Sequence, residues 1–431
     1  MRQGKTIIGR HRCTILLLIG LASLPAQARS VDRIVAIQFV GNKVTRPSIM
    51  LQEMTIHVGD PVNRRKIAAS RQAIMNLGLF KSVHTKLLPA KNGKILQVAV
   101  KEKYYVLPLP RLSRNADGDV SYGGAVTLDN FLGLNQHVQV LYERTIPNGL
   151  NTTTIHSWSF SYDYPRIVGT NYGISISGGR QRNDVTAGPA GIGQGIYRFD
   201  GRSLNITVTK FLFGGPSAGW IGALGLAWAD DFYQYVSGVP DLYQTARTVG
   251  VTAALGYTDV QDLTWNRKGV AYGYNLEVGA RGFGSDYGFT QHLLYVRSYV
   301  PVGRTPYQNI DTQFQIGLSS GYPAPVFYLG GSDTLRGFPR NEFYGRAFVL
   351  ANIQYLRPLD GNPAWRGVLF TDIGNAYPND AHMTLTHLET DVGTGLRWRI
   401  RSFVNVELRL DVGYGINDHN AEIYAGTHDI F

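Results

Sequence analysis

At 431 residues the chain exceeds one average soluble domain, and its composition counts against both a disordered chain and a helical membrane bundle: 17% charged, 11% aromatic, 50 glycines and 25 tyrosines. The formal net charge of +11 is spread without a concentrated basic tract. That argues against nucleic acid as a partner and suits anionic lipid headgroups.

Residues 1–28 have the layout of a secretory signal peptide: Arg2, Lys5, Arg10 and Arg12, an apolar run from Thr14 to Leu24, then Ala26-Gln27-Ala28, with cleavage expected after Ala28. The run is too short to cross about 30 Å of hydrocarbon comfortably. Cleavage would remove those four cations, bringing the charge from +11 to about +7, and also Cys13, the one cysteine. The mature chain is then expected to have neither a disulfide nor a thiolate-bound metal. No later segment offers about 18 uninterrupted apolar residues, so membrane crossing would have to use strands.

Residues 31–103 read as a small β-α-α-β-β unit. RIVAIQFVGN is a short apolar strand ending at the turn pair Gly41-Asn42. In TRPSIMLQEM, Thr45 is expected to cap a helix whose first turn tolerates Pro47 and which ends near Glu53 and Met54. A second helix follows Asn63 as cap, with Ile67, Ile74 and Leu77 near one face and Gly78 as its stop. Two strands close the unit, Phe80 to Leu88 and Lys94 to Glu102, turning at Asn92-Gly93, with Leu96, Val98 and Val100 on one face.

From 104 to 431 the helical period gives way to alternation. In HSWSFSYDY, His156, Trp158, Phe160, Tyr162 and Tyr164 share one face, with Ser157, Ser159, Ser161 and Asp163 on the other. In FVNVELRLDVGY, Val404, Val406, Leu408, Leu410 and Val412 oppose Asn405, Glu407, Arg409 and Asp411. Segments of about 10 to 14 residues suit tilted spans of a bilayer, and Tyr and Trp near their ends suit interfacial girdles. Candidate strands begin near 104, 119, 135, 153, 170, 197, 217, 246, 268, 289, 310, 345, 365, 390, 403 and 421. Sixteen is an even number, as closed antiparallel transmembrane barrels of bacteria require.

Several of these stretches together carry a family resemblance. IVAIQFVGN, GLFKSVHTKLL and ILQVAVKEK look like a POTRA domain. LDNFLG, LRGF, FTDIGNAY, GTGLRW and LRLDVGYG resemble motifs of the BamA/TamA superfamily of outer-membrane assembly and translocation proteins. The resemblance implies an all-β, transmembrane, sixteen-stranded antiparallel barrel preceded by one α+β POTRA domain. It also implies that the loop over 321–344, before the twelfth strand, folds back into the lumen. Carried over by motif, Leu335, Arg336, Gly337 and Phe338 form the tip of that loop, and Arg336 meets an acid on the wall, expected to be Asp372. Gly337 would permit a sharp turn and Phe338 would wedge the tip.

The function implied is insertion or translocation of other proteins from a Gram-negative outer membrane, with the POTRA domain in the periplasm. Substrates would be unfolded outer-membrane or secreted proteins, in contact with outer-membrane lipid and a periplasmic or inner-membrane accessory protein. They would add as a strand to the POTRA edge at Phe80, Val83, Thr85 and Leu87, or enter at a barrel seam holding Pro108, Pro110 and Phe431. The prolines cannot donate ladder bonds, so that seam should be short or loose. A secretion pore for one exported partner and a passive channel are the alternatives. Ten histidines lack metal-ligand spacing, and there is no nucleophile elbow or phosphate-cradling loop. No enzyme, metal or cofactor is expected.

Overall fold

A computed structural model of the chain describes residues 32–427 apart from 115–119, 147–154, 188–194, 216–217, 241–244, 304–306, 324 and 405. The expected signal peptide with Cys13, and Phe431, lie outside the described residues.

The N-terminal unit runs β1 (Ile34–Val40), α1 (Pro47–Leu51), α2 (Arg64–Asn76), β2 (Phe80–Ala90) and β3 (Gly93–Glu102). Its sheet has the order β1-β3-β2, with β1 parallel and β2 antiparallel to the central strand. Asn63 accepts hydrogen bonds from the backbone N–H of Arg65 and Lys66 and so starts α2; Gly78, at φ +73°, lies just past its end. Ile67 and Ile74 of α2 pack with Leu96, Val98 and Val100 of β3 in one apolar cluster under the sheet.

One expected cap is corrected. Helix α1 starts at Pro47 after Arg46, without a side-chain cap, and ends at Leu51. Thr45 instead ties the unit to the chain beyond residue 104: its hydroxyl pairs with the Tyr105 hydroxyl at 3.1 Å and accepts from Asn130 at 2.8 Å. The Glu102 carboxylate holds the loop before α1, accepting from the N–H groups of Lys43, Val44 and Thr45. Burial alone would raise the Glu102 pKa, but these donors outweigh it and lower it.

Sixteen strands then form one antiparallel sheet. They are β4 (Val106–Arg114), β5 (Val120–Phe131), β6 (Gln136–Ile146), β7 (Ile155–Tyr164), β8 (Tyr172–Ala187), β9 (Gly195–Gly215), β10 (Ala218–Gly238), β11 (Ala246–Asp262), β12 (Arg267–Gly279), β13 (Phe289–Pro301), β14 (Asn309–Ser320), β17 (Ala347–Leu359), β18 (Asn362–Tyr377), β19 (Glu389–Arg399), β20 (Glu407–Gly415) and β21 (Ala421–Gly426), with a small hairpin of β15 (Phe327–Leu329) and β16 (Phe343–Gly345) in the loop between β14 and β17. Every strand of the sheet begins within about four residues of the position expected from alternation and the turn signals between segments. Apolar side chains such as Leu204, Ile206, Leu224 and Leu226 stand exposed on the outer face, and Leu226 pairs with Ile206 on one side and Val251 on the other.

The sheet curls into a barrel whose mouth is spanned on the side of the N-terminal unit. The Arg399 guanidinium, at the end of β19, donates to the Thr264 carbonyl between β11 and β12 at 3.2 Å. The N-terminal unit lies across this mouth, touching turns spread around it. Arg46 donates to the carbonyls of Gly133 and Leu132. Arg166 pairs with Glu53 at 3.2 Å, Asn76 accepts from Asp262 N–H at 3.0 Å, and Arg401 donates to the Lys81 carbonyl at 2.7 Å. Val404, expected on an outward barrel face, is instead buried in the apolar cluster of the N-terminal unit.

Candidate functional site: the loop socket and the end strands of the sheet

The loop between β14 and β17 enters the barrel and places Arg336 at full burial against the wall formed by β17 to β20. Asp372, on β18, receives it in a two-pronged ion pair: Nε to Oδ2 and Nη2 to Oδ1, both 2.8 Å. The Arg336 backbone N–H adds a bond to the same carboxylate at 3.1 Å, and the guanidinium lies 3.6 Å from the Phe370 ring centroid. Asn352 of β17 bridges Asp372 and the Thr334 carbonyl, at 2.8 and 2.7 Å. A fully buried charge is tolerated only with this density of partners.

The backbone next to Arg336 is held as firmly. Gly337 N–H donates to Asp391 of β19 at 2.9 Å. A Cβ at Gly337 would come within 2.4 Å of the Asp391 Cβ and 2.7 Å of the Gly415 nitrogen, so no larger residue fits. From the facing strand, a Cβ at Gly413 would meet the Arg336 carbonyl oxygen at 2.3 Å. Phe338 is fully buried and packs edge-on to Phe343, in an apolar cluster with Leu335, Leu329 and Phe348. Its carbonyl accepts from the Tyr424 hydroxyl at 2.7 Å, linking the loop tip to the last strand of the sheet.

Two acids of the socket were not singled out from the sequence. Asp391 holds Gly337, and Asp411 of β20 pairs with Arg397 at 2.5 Å while lying 3.9 Å from Arg336. Asp372, Asp391 and Asp411 lie on three consecutive strands, and Asp372 and Asp391 are register partners. A signal was present: Asp-x-Gly occurs at 372–374, 391–393 and 411–413. Each acid shares a face with a glycine two residues on, so one wall offers carboxylates beside room for a backbone.

Of the other expected site residues, Phe80, Val83, Thr85 and Leu87 lie on β2, an edge of the N-terminal sheet, with Phe80 and Val83 buried in its core. Thr85 and Leu87, opposite Val98 and Leu96, are half-buried on the same face, and His84 and Lys86 between them are exposed. Pro108 and Pro110 lie on β4, which pairs with β5 without interruption from Val106↔Leu128 to Arg114↔Val120. An unbroken ladder through two residues that lack N–H places their nitrogens on the side away from β5. Among the described residues β4 and β21 each pair on one side only, as the two end strands of the sheet.

The comparisons with known proteins agree with this architecture. A family model described as the Omp85 superfamily domain matches residues 130–425, and a POTRA model described as a surface antigen variable number repeat matches residues 33–103. The outer membrane protein assembly factor BamA of Nitratidesulfovibrio vulgaris (strain Hildenborough) is 22% identical over 390 residues, covering 83% of this chain and 46% of that protein. The chain thus spans about half the length of that curated relative. Among solved structures, CdiB from Escherichia coli aligns over 92% of this chain and 76% of its own, at TM-score 0.66 and 14% identity. BamA from Haemophilus ducreyi lacking POTRA domains 1-3 aligns over 92% and 84%, at TM-score 0.51 and 14% identity. These two likenesses are of fold.

Proposed function

Because the chain belongs to the Omp85 superfamily, we propose that it works in the outer membrane of a Gram-negative bacterium, with its POTRA domain in the periplasm, as a non-enzymatic factor that inserts other proteins through its barrel seam. The observation that carries this reading is that, among the described residues, β4 and β21 each pair on one side only. An exposed edge is a template on which an extended chain can add by main-chain hydrogen bonds, without demanding one side-chain sequence. The two edges are unequal. Two of the donors that β4 would turn toward the seam are missing at Pro108 and Pro110, whereas β21 contains no proline. The β21 edge is therefore the better template, and the same prolines keep β4 from sealing against it.

The buried Arg336 socket supports the reading by fixing β17 to β20 as a rigid wall, with Tyr424 tying β21 to the loop. The β2 edge of the POTRA sheet offers an extended substrate a first docking strand on the periplasmic side. The POTRA domain across the mouth and the loop in the lumen both oppose a steady diffusion pore.

Cysteines introduced as a pair, one in Val106–Arg114 and one in Ala421–Gly426, test the seam in liposomes containing the protein and an unfolded client barrel. Oxidation should stop client insertion and reduction should restore it. Insertion that continues through a locked seam would reject lateral entry and favour export of a partner through the lumen.

A further inference from the structure

Between the POTRA domain and the turns of the barrel mouth lies a cavity of about 450 Å³, distinct from both the seam and the loop socket. Five cations and two acids line it. Both acids have cationic or N–H partners: the Glu407 Oε2 accepts from Arg366 at 2.8 Å and Arg399 at 3.0 Å, its buried Oε1 having no hydrogen-bond partner, and Asp262 accepts from Thr264 N–H at 2.8 Å. Arg401 uses one nitrogen on the Lys81 carbonyl and lies 4.7 Å from the Trp265 ring centroid, but its buried Nε has no hydrogen-bond partner.

Lys103 is half-buried at the end of the POTRA domain, and among the described residues its ammonium makes no hydrogen bond or ion pair. Burial pushes its pKa below the ordinary lysine value; Asp262 pulls the other way, and the Arg399 and Arg401 guanidiniums add to the depression. The end of α2 that borders the cavity, Met75 to Gly78, is the carboxyl end, whose dipole disfavours an anion. Any attraction for an anion must come from the side chains. A surplus of cations withdrawn from water is costly unless a counter-charge joins them.

We propose that this cavity binds a phosphate-type oxyanion, held by Lys103 from the POTRA domain and Arg401 from the turn between β19 and β20, so that the bound anion fastens the domain onto the barrel mouth. The oxyanion can be a soluble phosphate or a phospholipid headgroup.

The full chain in phosphate-free detergent micelles, titrated calorimetrically with inorganic phosphate and with glycerol 3-phosphate, should show saturable binding at one site. Lys103→Met and Arg401→Gln should each weaken it by about tenfold or more, the scale of a lost hydrogen bond to a charged group, while Lys91→Met on an exposed turn leaves it unchanged. Because Lys103→Met removes an unpaired cation, its Tm without phosphate should rise, and phosphate should raise the Tm of the parent chain only. If Lys103→Met does not fold, Arg401→Gln carries the binding test. Displacement of glycerol 3-phosphate by phosphatidylglycerol in the micelles assigns the headgroup, and failure of displacement assigns the soluble anion. Absence of saturable binding, or equal affinity in both variants and the parent, overturns the proposal.

Discussion

Strands β9 and β10 have 21 residues each, whereas β20 and β21, in the same sheet, have nine and six. At roughly 3.3 Å per residue and a tilt near 45°, the long strands rise about 50 Å and the shortest about 14 Å, against about 30 Å of hydrocarbon. The inner faces differ as well. The tall wall presents Ser177, Asn205 and Thr207, whereas the short wall, which tapers from β18 to β21, presents Asp372, Asp391, Asp411 and Arg397, buried by the loop. The tall wall is paired with neighbouring strands on both sides along most of its length. The short wall, beside the seam, is braced by ions and glycines, and that contrast sets the order of expected mutational effects.

The largest effect should come from Arg336→Ala, with Arg180→Ala as its counterpart on the tall wall. Arg336 and Asp372 are both fully buried, so truncation strands a carboxylate and should cost about 3 to 5 kcal/mol. Arg180 pairs with Asp200, but its side chain is 29% exposed and Arg182 remains on the same carboxylate at 2.7 Å. Its loss should cost less than about 1 kcal/mol after solvent screening. Denaturant unfolding in micelles measures both, and equal losses would show that the two walls are braced alike.

Gly337→Ala should come next. The added methyl meets backbone and Cβ atoms that cannot swing away, so either the loop tip withdraws or β19 and β20 shift, at a cost of about 1 to 3 kcal/mol. On the tall wall, Gly222→Ala finds no heavy atom nearer than 3.9 Å and should be nearly neutral. Protease access to the loop in folded protein separates the cases: the first variant should be cut within the loop and the second should resist.

The two walls were not equally legible in the sequence. Both alternate, so strand starts and the outward apolar faces could be read from period and turn signals, and Asn63 and Gly78 marked the ends of α2 by local chemistry. Asp372 was reached only through resemblance to a family motif. Asp391 and Asp411 escaped because an inward acid on a barrel strand reads as a residue facing water, and only the loop arriving from a different part of the chain makes it a socket. Thr45 and Val404 were misread for the same reason. The partners of Thr45, Tyr105 and Asn130, and the domain core that takes up Val404 are set by docking of POTRA onto the mouth, which no local pattern encodes.

The smallest effect should belong to Tyr424→Phe, and its smallness is informative. The ring is kept and only the bond to the Phe338 carbonyl is lost, worth about 0.5 to 1.5 kcal/mol. That carbonyl also accepts from Gly331 N–H at 3.1 Å, so the loop tip stays satisfied and the Arg336 socket is untouched. The free strand is β21: six residues, paired on one side to β20, with no other described bond to the loop. Amide exchange should therefore quicken in Ala421–Gly426 while β17 to β20 keep their protection and the Tm moves little. If the seam is the working edge, a loosened β21 should also change the rate of client insertion, whereas Arg180→Ala on the tall wall should not. Faster exchange throughout the short wall would instead mean that the hydroxyl supports the socket itself, and the division between braced wall and free last strand would fall.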